Sequence, residues 1–361
     1  MSEQVYRHLC QTMAKRGGRY PGVDIPEFYA LVRELFTPEE AAVNNAMPRG
    51  LFTAAPVAET LGWDDAAVEA VLEGMADKGL CLAVRQNKRL YASARFVPGI
   101  FEYQFMRGTS TDHDRKLARL IHDYKAALDA RHGPPRVAFP SERVIPVDRQ
   151  IDATSRVHTY DQVVTYIREY DPLSVSTCFC RHEAQLLDEN DTCGKPNEVC
   201  MQFGLGAQFV IDRGLGRRID QAEALEILRQ SEEAGLVHST QNRQSIDFLC
   251  NCCACHCMII QTALAQPKPA LALSSGFQPA IDPDLCTGCG TCIERCPATA
   301  LILGENDVPQ VDLDRCFGCG VCATGCPAEA ISLLEKTAVE PPPVDQRALS
   351  AAIKAARQQT A

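Results

Sequence analysis

The chain has 361 residues, of which 46% are hydrophobic and 23% charged, a composition typical of a globular protein with about two or three domains. The formal net charge of −10 argues against general nucleic-acid affinity, because phosphates repel acidic surfaces. No window approaches about 18 consecutive apolar residues and no apolar signal segment opens the chain, so we expect a cytoplasmic protein without a membrane span. In that compartment, the 19 cysteines indicate metal ligands rather than disulfides.

Residues 25–110, after an N-terminal segment of residues 1–24, follow the layout of a winged-helix domain. Helical periodicity and capping residues predict four helices, and an alternating segment then predicts a β-hairpin at 80–92. The would-be recognition helix, within 64–79, carries five acidic residues and one lysine. Because phosphates repel such a helix, we expect a docking or structural role, with sequence-specific DNA binding as the weaker alternative.

Residues 111–265 form a predicted α/β domain that is rich in cysteine. Predicted helices at 112–131, 161–169 and 221–234 alternate with a short strand at 143–147 and with loops. Nine cysteines fall within 80 residues, which exceeds what packing requires. Four cysteines would hold one [4Fe-4S] cluster and eight would hold two. Cys10 and Cys81, outside this domain, are expected to be buried structural thiols.

Four of the nine cysteines come from separate loops and are the preferred ligands of a cluster in this domain, which would be the third of the chain after the two of the C-terminal repeat described below. These are Cys180, Cys193, Cys200 and Cys253. The alternative or fourth-cluster ligands are Cys178, Cys250, Cys252, Cys255 and Cys257. We do not expect the adjacent residues Cys252 and Cys253 to bind one metal.

The cysteines of this domain also allow alternatives to an iron-sulfur cluster. A structural zinc ion held by four cysteines and metal-free redox thiols are alternatives. His182 and His256 could be metal ligands, although we expect them outside the first coordination sphere. The segments F-G-L-G-A and R-G-L-G-R do not complete a dinucleotide fingerprint, and no phosphate-binding loop or catalytic triad occurs, so nucleotide binding is not expected.

The chain after residue 265 is divided by composition. Residues 266–279 are rich in Pro, Ser and Gly and predict a flexible linker that makes the domain at 280–336 separable. A tail at 337–361 begins with prolines and ends in a predicted short helix at 344–358.

Within 280–336, one pattern, C-x2-C-x2-C-x3-C-P, occurs twice with an offset of 30 residues (286 to 316). The first copy has Cys286, Cys289, Cys292 and Cys296, and the second has Cys316, Cys319, Cys322 and Cys326. Three thiolates at this spacing, on glycine-rich loops, can wrap one face of an iron-sulfur cube. Zinc knuckles are disfavoured because zinc sites use separated cysteine pairs. Each half should contain a strand, a loop, a helical turn and a second strand.

The repeat resembles bacterial-type two-[4Fe-4S] ferredoxins in all eight cysteines and both prolines. The resemblance implies that the fourth cysteine of each motif binds the cluster of the other motif. One cluster would take Cys286, Cys289, Cys292 and Cys326, and the other Cys316, Cys319, Cys322 and Cys296. Residues 281–336 contain nine acidic and three basic residues, so we expect a redox partner with a basic docking face.

Residues 25 to about 335 also resemble bacterial multi-cluster iron-sulfur proteins, through C-F-C-R, E-V-C-M-Q-F-G and N-C-C-A-C-H-C. The resemblance implies an α+β multidomain redox protein and names no substrate. We expect an electron-transfer subunit, which passes low-potential single electrons to or from a partner oxidoreductase through two ferredoxin clusters and at least one further cluster. A redox enzyme with a substrate-binding cluster at 178–257 and an iron-sulfur winged-helix regulator are the alternatives.

Overall fold

The structure is a computed structural model that describes residues 2–133, 136–147, 150–151, 161–191, 193–337 and 339–359. The helices of these residues are α1 (Ser2–Arg16), α2 (Pro26–Leu35), α3 (Pro38–Ala46), α4 (Ala54–Leu61), α5 (Asp65–Asp77), α6 (Ile100–Phe105), α7 (Asp112–His132), α8 (Val163–Glu169), α9 (Phe179–Leu187), α10 (Leu205–Asp212), α11 (Gln221–Glu233), α12 (Met258–Leu264), α13 (Pro269–Ala272), α14 (Thr291–Arg295), α15 (Val321–Thr324) and α16 (Gln346–Gln359). The strands are β1 (Cys81–Arg85), β2 (Arg89–Ser93), β3 (Glu142–Val144), β4 (Leu173–Thr177), β5 (Glu198–Phe203), β6 (Arg217–Ile219), β7 (Val237–Gln241), β8 (Phe248–Cys252), β9 (Phe277–Ile281), β10 (Leu301–Leu303), β11 (Pro309–Val311) and β12 (Ile331–Glu335). None of the helices in these ranges combines the length and apolar character needed to cross a bilayer.

The chain divides into two compact units that differ from the predicted domains. The first contains Met1–Gly133, Ser176–Thr192 and Gln208–Arg217, and the second contains Pro134–Val175, Cys193–Ala207 and Arg218–Ala361. The start of the predicted middle domain therefore belongs with the N-terminal helices. The physical reason is that α7 packs against α2, whose Phe28, Leu31, Val32 and Leu35 are buried.

The N-terminal helices of the first unit begin and end where local sequence signals place them. Helix α3 starts at the predicted capping box, in which the Thr37 hydroxyl accepts from the Glu40 N–H and the Glu40 carboxylate accepts from the Thr37 N–H. Helix α4 ends at Gly62, whose left-handed φ of +66° terminates it, and Asp64 caps α5. A hairpin of β1 and β2 follows, in the predicted order of helix, turn, helix and hairpin.

The acidic side chains of α5 find partners inside the first unit. Arg213 has a side chain 6% exposed and binds Glu73 at 2.8 Å and Asp77 at 2.6 Å. Arg89 binds Glu73 at 2.7 Å, and the Tyr91 hydroxyl donates to the same carboxylate at 2.6 Å. Burial alone would raise the pKa of Glu73, but the hydrogen bonds from Tyr91 and Arg213 outweigh it and hold the pKa below its usual value.

Replacing Glu73 with Gln is expected to lower the stability of the first unit by about 1–3 kcal/mol, because the buried guanidinium of Arg213 loses one of its two charged partners and keeps only Asp77. Urea unfolding followed by the fluorescence of Trp63, the single tryptophan, measures the change. A carboxylate whose pKa is lowered in the folded state stabilises the protein at pH values above its unfolded pKa, and this contribution is lost as the pH falls through the folded pKa. The difference in unfolding free energy between the unaltered protein and Glu73→Gln should therefore shrink in mild acid. The exposed Glu69→Gln on the same helix is the control. Equal effects of both variants would contradict the assigned role of Glu73.

The second unit is built on a six-stranded sheet with the order β3-β7-β8-β5-β4-β6. Strand β7 runs antiparallel to β3 and β8, and β8 runs antiparallel to β5. Helix α11, capped by Asp220, leads into β7. The sheet positions the middle cysteines, because Cys250 and Cys252 lie at the C-terminal end of β8. The turn that follows this strand carries the next three cysteines.

The structure replaces the expected flexible linker at 266–279 with packed chain. This segment contains α13 and the start of β9, and Leu273 and Phe277 are almost fully buried. The Ser275 N–H donates to the Phe317 carbonyl at 2.8 Å, which ties the segment to the cysteine repeat. The prolines and glycine suggested flexibility, but the apolar residues between them bury against the second unit.

The repeat itself has the predicted order in both halves. Strands β9 and β10 flank α14 in the first half, and β11 and β12 flank α15 in the second. Strand β9 pairs antiparallel with β12, and β10 with β11, so the first strand of one half pairs with the last strand of the other. This pairing brings the two cysteine motifs together.

Candidate metal centres

One cavity of the repeat, the outer cavity, is lined by three cysteines of the first motif and one of the second. They are Cys286, Cys289, Cys292 and Cys326. Cys289 is exposed, whereas Cys286 and Cys326 are half-buried and Cys292 is buried. A metal centre held here would be open to solvent on one side.

The other cavity of the repeat, the inner cavity, has the reciprocal set. It is lined by Cys316, Cys319, Cys322 and Cys296. The cavity's three cysteines from the second motif, Cys316, Cys319 and Cys322, are buried. Phe317, next to Cys316 in the sequence, is buried as well. Each cavity thus takes its fourth cysteine from the other motif, which is the grouping that the ferredoxin resemblance implies.

Backbone donors surround the sulfur atoms of the motifs. Three N–H groups donate to them: Ala300 to Cys296 at 3.3 Å, Ala330 to Cys326 at 3.4 Å and Gly318 to Cys316 at 3.4 Å. Hydrogen bonds of this kind stabilise negative charge on sulfur. Four cysteines around one cavity, with backbone donors beside them, fit one [4Fe-4S] cluster in each cavity.

The free thiols of the two cavities differ in acidity. Burial raises the pKa of Cys319 to about 12 and raises that of Cys322 as well. In the outer cavity, the hydrogen bond with the Thr291 hydroxyl lowers the pKa of Cys289. The inner thiols must therefore release their protons when a metal binds, so metal assembly there is coupled to proton release.

Glycine is required at one position of the inner loop. Gly318 has a φ of +66°, and a Cβ atom added there would lie 1.9 Å from the carbonyl oxygen of Phe277. The equivalent position of the outer loop is Gly288, whose added Cβ would lie 2.9 Å from the Cβ of Asp307. Gly290 in the same loop has a φ of +76° and open space around the added Cβ. The inner loop is thus pressed against the backbone at the start of β9.

The middle cysteines fall into two groups, of which the first is the Cys193 group: Cys193, Cys253, Cys255 and His256. Their ligand atoms all lie within 4.8 Å of one another, and the Cys253 sulfur is 3.9 Å from Nδ1 of His256. Burial and the neighbouring thiols of Cys253 and Cys193 raise the pKa of Cys255 to about 12. The signal in the sequence was the turn C-A-C-H, which places two cysteines and one histidine within four residues.

The second group, the Cys252 group, contains Cys250, Cys252 and Cys257. The Cys252 thiol makes hydrogen bonds with the other two thiols, and these contacts, with burial, raise its pKa well above the usual value. Cys252 and Cys257 are buried, and Cys250 is half-buried. Cys252 and Cys253 therefore belong to different groups, as expected for adjacent residues.

The four cysteines predicted for a third cluster are not all in one of these groups. Cys193 and Cys253 lie together in the Cys193 group. The sulfur of Cys200 accepts a hydrogen bond from Nε2 of Gln202 at 3.3 Å. Cys180 lies on helix α9 of the first unit, and Cys178 is the N-cap residue of this helix. Cys255, which was predicted only as an alternative ligand, and His256, which was expected outside the first coordination sphere, are the other two members of that group.

Other predicted positions have structural surroundings. The ring Nε2 of His182 is 2.7 Å from the Thr109 carbonyl oxygen, so this imidazole is engaged with the backbone of the first unit. The Lys125 ammonium binds both oxygens of Glu183 on the same helix α9. Cys10 and Cys81 are buried, as predicted.

Two apolar cores connect the cysteine sets of the second unit. In the smaller core, Cys292 of the outer cavity and Cys322 of the inner cavity are buried together, with Cys296 and Cys326 packed against them. In the larger core, Cys252 and Cys257 are buried with Cys316, Phe317 and Cys319, and Cys250 packs against it. The order along the molecule is outer cavity, inner cavity, Cys252 group.

A comparison with family models matches residues 279–333 to the 4Fe-4S dicluster domain. No match was found among curated proteins. The matched residues include all eight cysteines of the two cavities. The chain is therefore a mixed α/β protein in which residues 279–333 form a 4Fe-4S ferredoxin-type domain.

Proposed function

We propose that this protein is an electron carrier that passes low-potential single electrons to or from a partner oxidoreductase. The observation that carries the proposal is the continuous series of cysteine sets in the second unit, from the exposed outer cavity to the buried Cys252 group. A ferredoxin-type domain and a cysteine-rich region together fit an iron-sulfur electron-transfer role.

The cysteines of the two cavities are proposed as the ligands of two [4Fe-4S] clusters. Such a cluster, when bound, supplies reversible one-electron redox chemistry. The outer set is Cys286, Cys289, Cys292 and Cys326, and the inner set is Cys316, Cys319, Cys322 and Cys296. The protein contributes thiolates, N–H donors to sulfur, and burial that excludes water from the inner set.

The Cys252 group supports a third cluster among the middle cysteines. Its members share an apolar core with Cys316 and Cys319, so a centre there would adjoin the inner cavity. The alternative set of Cys180, Cys193, Cys200 and Cys253 has less support, because its two nearby members are grouped with Cys255 and His256.

The partner is proposed to approach at the outer cavity. Cys289 is exposed there, and the neighbouring Leu285 is 52% exposed. Residues 281–336 contain nine acidic and three basic residues, so a basic face on the partner would be attracted. We assign the helices and hairpin of residues 25–110 a winged-helix-like docking role, because the acidic α5 would be repelled by nucleic-acid phosphates.

A redox enzyme is the second candidate, favoured by the three thiols that meet at Cys252. Three thiolates leave one corner of a cube for a non-thiolate ligand, which is where a substrate would bind. Turnover by the isolated chain with an artificial electron donor would support this candidate. Activity only with a partner protein would support the carrier.

Iron and acid-labile sulfide analysis of anaerobically purified protein tests the proposal. We expect roughly twelve iron atoms with matching sulfide per chain, corresponding to three clusters. Reduction with dithionite should bleach the visible absorption and produce EPR signals of reduced clusters. About eight iron atoms would overturn the third cluster, and spectra that do not change on reduction would overturn electron transfer.

A further inference from the structure

We propose that Cys193, Cys253, Cys255 and His256 form a site for a single zinc ion, separate from the iron-sulfur clusters. This inference goes beyond the proposed function, because such an ion transfers no electrons. It concerns only residues of the second unit and stands on their geometry and donor chemistry.

The spacing of the four ligand atoms suits one ion. All four lie within 4.8 Å of one another, and the sulfur of Cys253 is 3.9 Å from Nδ1 of His256. At bond lengths of about 2.3 Å to sulfur and about 2.0–2.1 Å to nitrogen, three sulfur atoms and one nitrogen atom around tetrahedral zinc lie roughly 3.5–3.8 Å apart. Small side-chain rotations would bring all four atoms onto one ion.

The ferredoxin cysteines provide an internal comparison. Among the residues that the structure describes, the Cys193 group is the only set of three or more potential ligands with all atoms this close. Neither four-cysteine cavity meets the same limit. A cube holds each thiolate on a different iron atom and so keeps the sulfurs farther apart than a single ion does. The compact group is therefore suited to one metal ion.

The types of ligand atom in the Cys193 group favour zinc over other metal ions. Three thiolates and one imidazole are a recognised ligand set of structural zinc, and soft thiolates disfavour Mg²⁺ and Ca²⁺. No carboxylate belongs to this group within the described residues. Four protein ligands complete a tetrahedron, which is the closed coordination of a structural site.

The ion would fix the turn that separates the two cysteine groups. Cys193 lies before β5, and Cys253 and Cys255 follow β8, which pairs with β5. Residues that follow each other in extended chain point to opposite sides, so the turn can present Cys253 to zinc and Cys252 to the Cys252 group. A zinc ion would thus hold the Cys252 group in place without taking part in electron transfer.

The test is the zinc content of the full chain, measured together with iron and sulfide. We expect about one zinc per chain, and X-ray absorption at the zinc edge should show three sulfur ligands and one nitrogen ligand. Cobalt substitution should give the visible bands of tetrahedral cobalt bound to thiolates. These measurements on the unaltered protein need no variant to fold.

Variants then assign the ligands. Cys255→Ala and His256→Ala should each lose most of the zinc while iron stays unchanged, and the exposed His8→Ala is the matched control. Absence of zinc from the unaltered protein, retention of zinc in either variant, or loss of about four iron atoms in Cys255→Ala would overturn the proposal. Failure of the proposed electron transfer would leave the zinc content unaffected, so the two can be distinguished.

Discussion

Cys319→Ser is expected to remove the inner cluster, with a loss of about four iron atoms and four sulfides per chain. Cys319 is 9% exposed and lies in the core that also buries Cys316 and Cys252. Serine is a poor replacement for a soft thiolate, and its buried hydroxyl would cost roughly 1–3 kcal/mol unless it finds a hydrogen bond. In EPR of the fully reduced protein, the magnetic coupling between the two ferredoxin clusters should disappear.

The matched control for this variant is Cys289→Ser, at the equivalent position of the first motif. Cys289 is exposed, so water can complete the coordination and the serine hydroxyl stays hydrated. We expect a smaller loss, of about one iron atom, and little change in unfolding. Equal losses of iron and stability in the two variants would contradict the distinction between an inner and an outer cluster.

Gly318→Ala is expected to destabilise the ferredoxin-type domain by roughly 3 kcal/mol or more. The added methyl group would lie 1.9 Å from the Phe277 carbonyl oxygen, so the inner loop or the start of β9 must move. A left-handed φ of +66° adds about 1 kcal/mol for a residue with a Cβ atom. Thermal unfolding followed by cluster absorption and by circular dichroism measures the loss.

Gly290→Ala separates the clash from the backbone strain. Gly290 also has a left-handed φ, of +76°, but no atom lies within 4 Å of its added Cβ. We expect a cost of about 1 kcal/mol and full cluster content. If Gly290→Ala and Gly318→Ala lowered stability equally, the proposed contact of the inner loop with Phe277 would be wrong.

The prediction of a flexible linker before the ferredoxin-type domain shows where composition misleads. Pro, Ser and Gly in residues 266–279 predicted a flexible linker, yet Leu273 and Phe277 are buried and Ser275 bonds to Phe317. Composition reports the average polarity of a segment. Whether a few apolar side chains find a core depends on the surfaces that the rest of the chain presents.

The sequence by itself determined the repeat, its strands and turns, and the type of domain at 279–333. Twelve-residue motifs with fixed cysteine spacing and glycine-rich loops carry this information locally, because ligands a few residues apart must meet in any compatible fold. The capping box at Thr37 and the glycine that ends α4 were predictable for the same reason.

Only the tertiary structure decided how the middle cysteines are grouped. Cys193 and Cys253 are 60 residues apart (193 to 253), and their meeting depends on the pairing of β5 with β8. The burial of Cys252 beside Cys316 likewise depends on how the sheet packs against the repeat. Contacts between distant segments arise from the packing of whole elements, which residue spacing in one sequence does not encode.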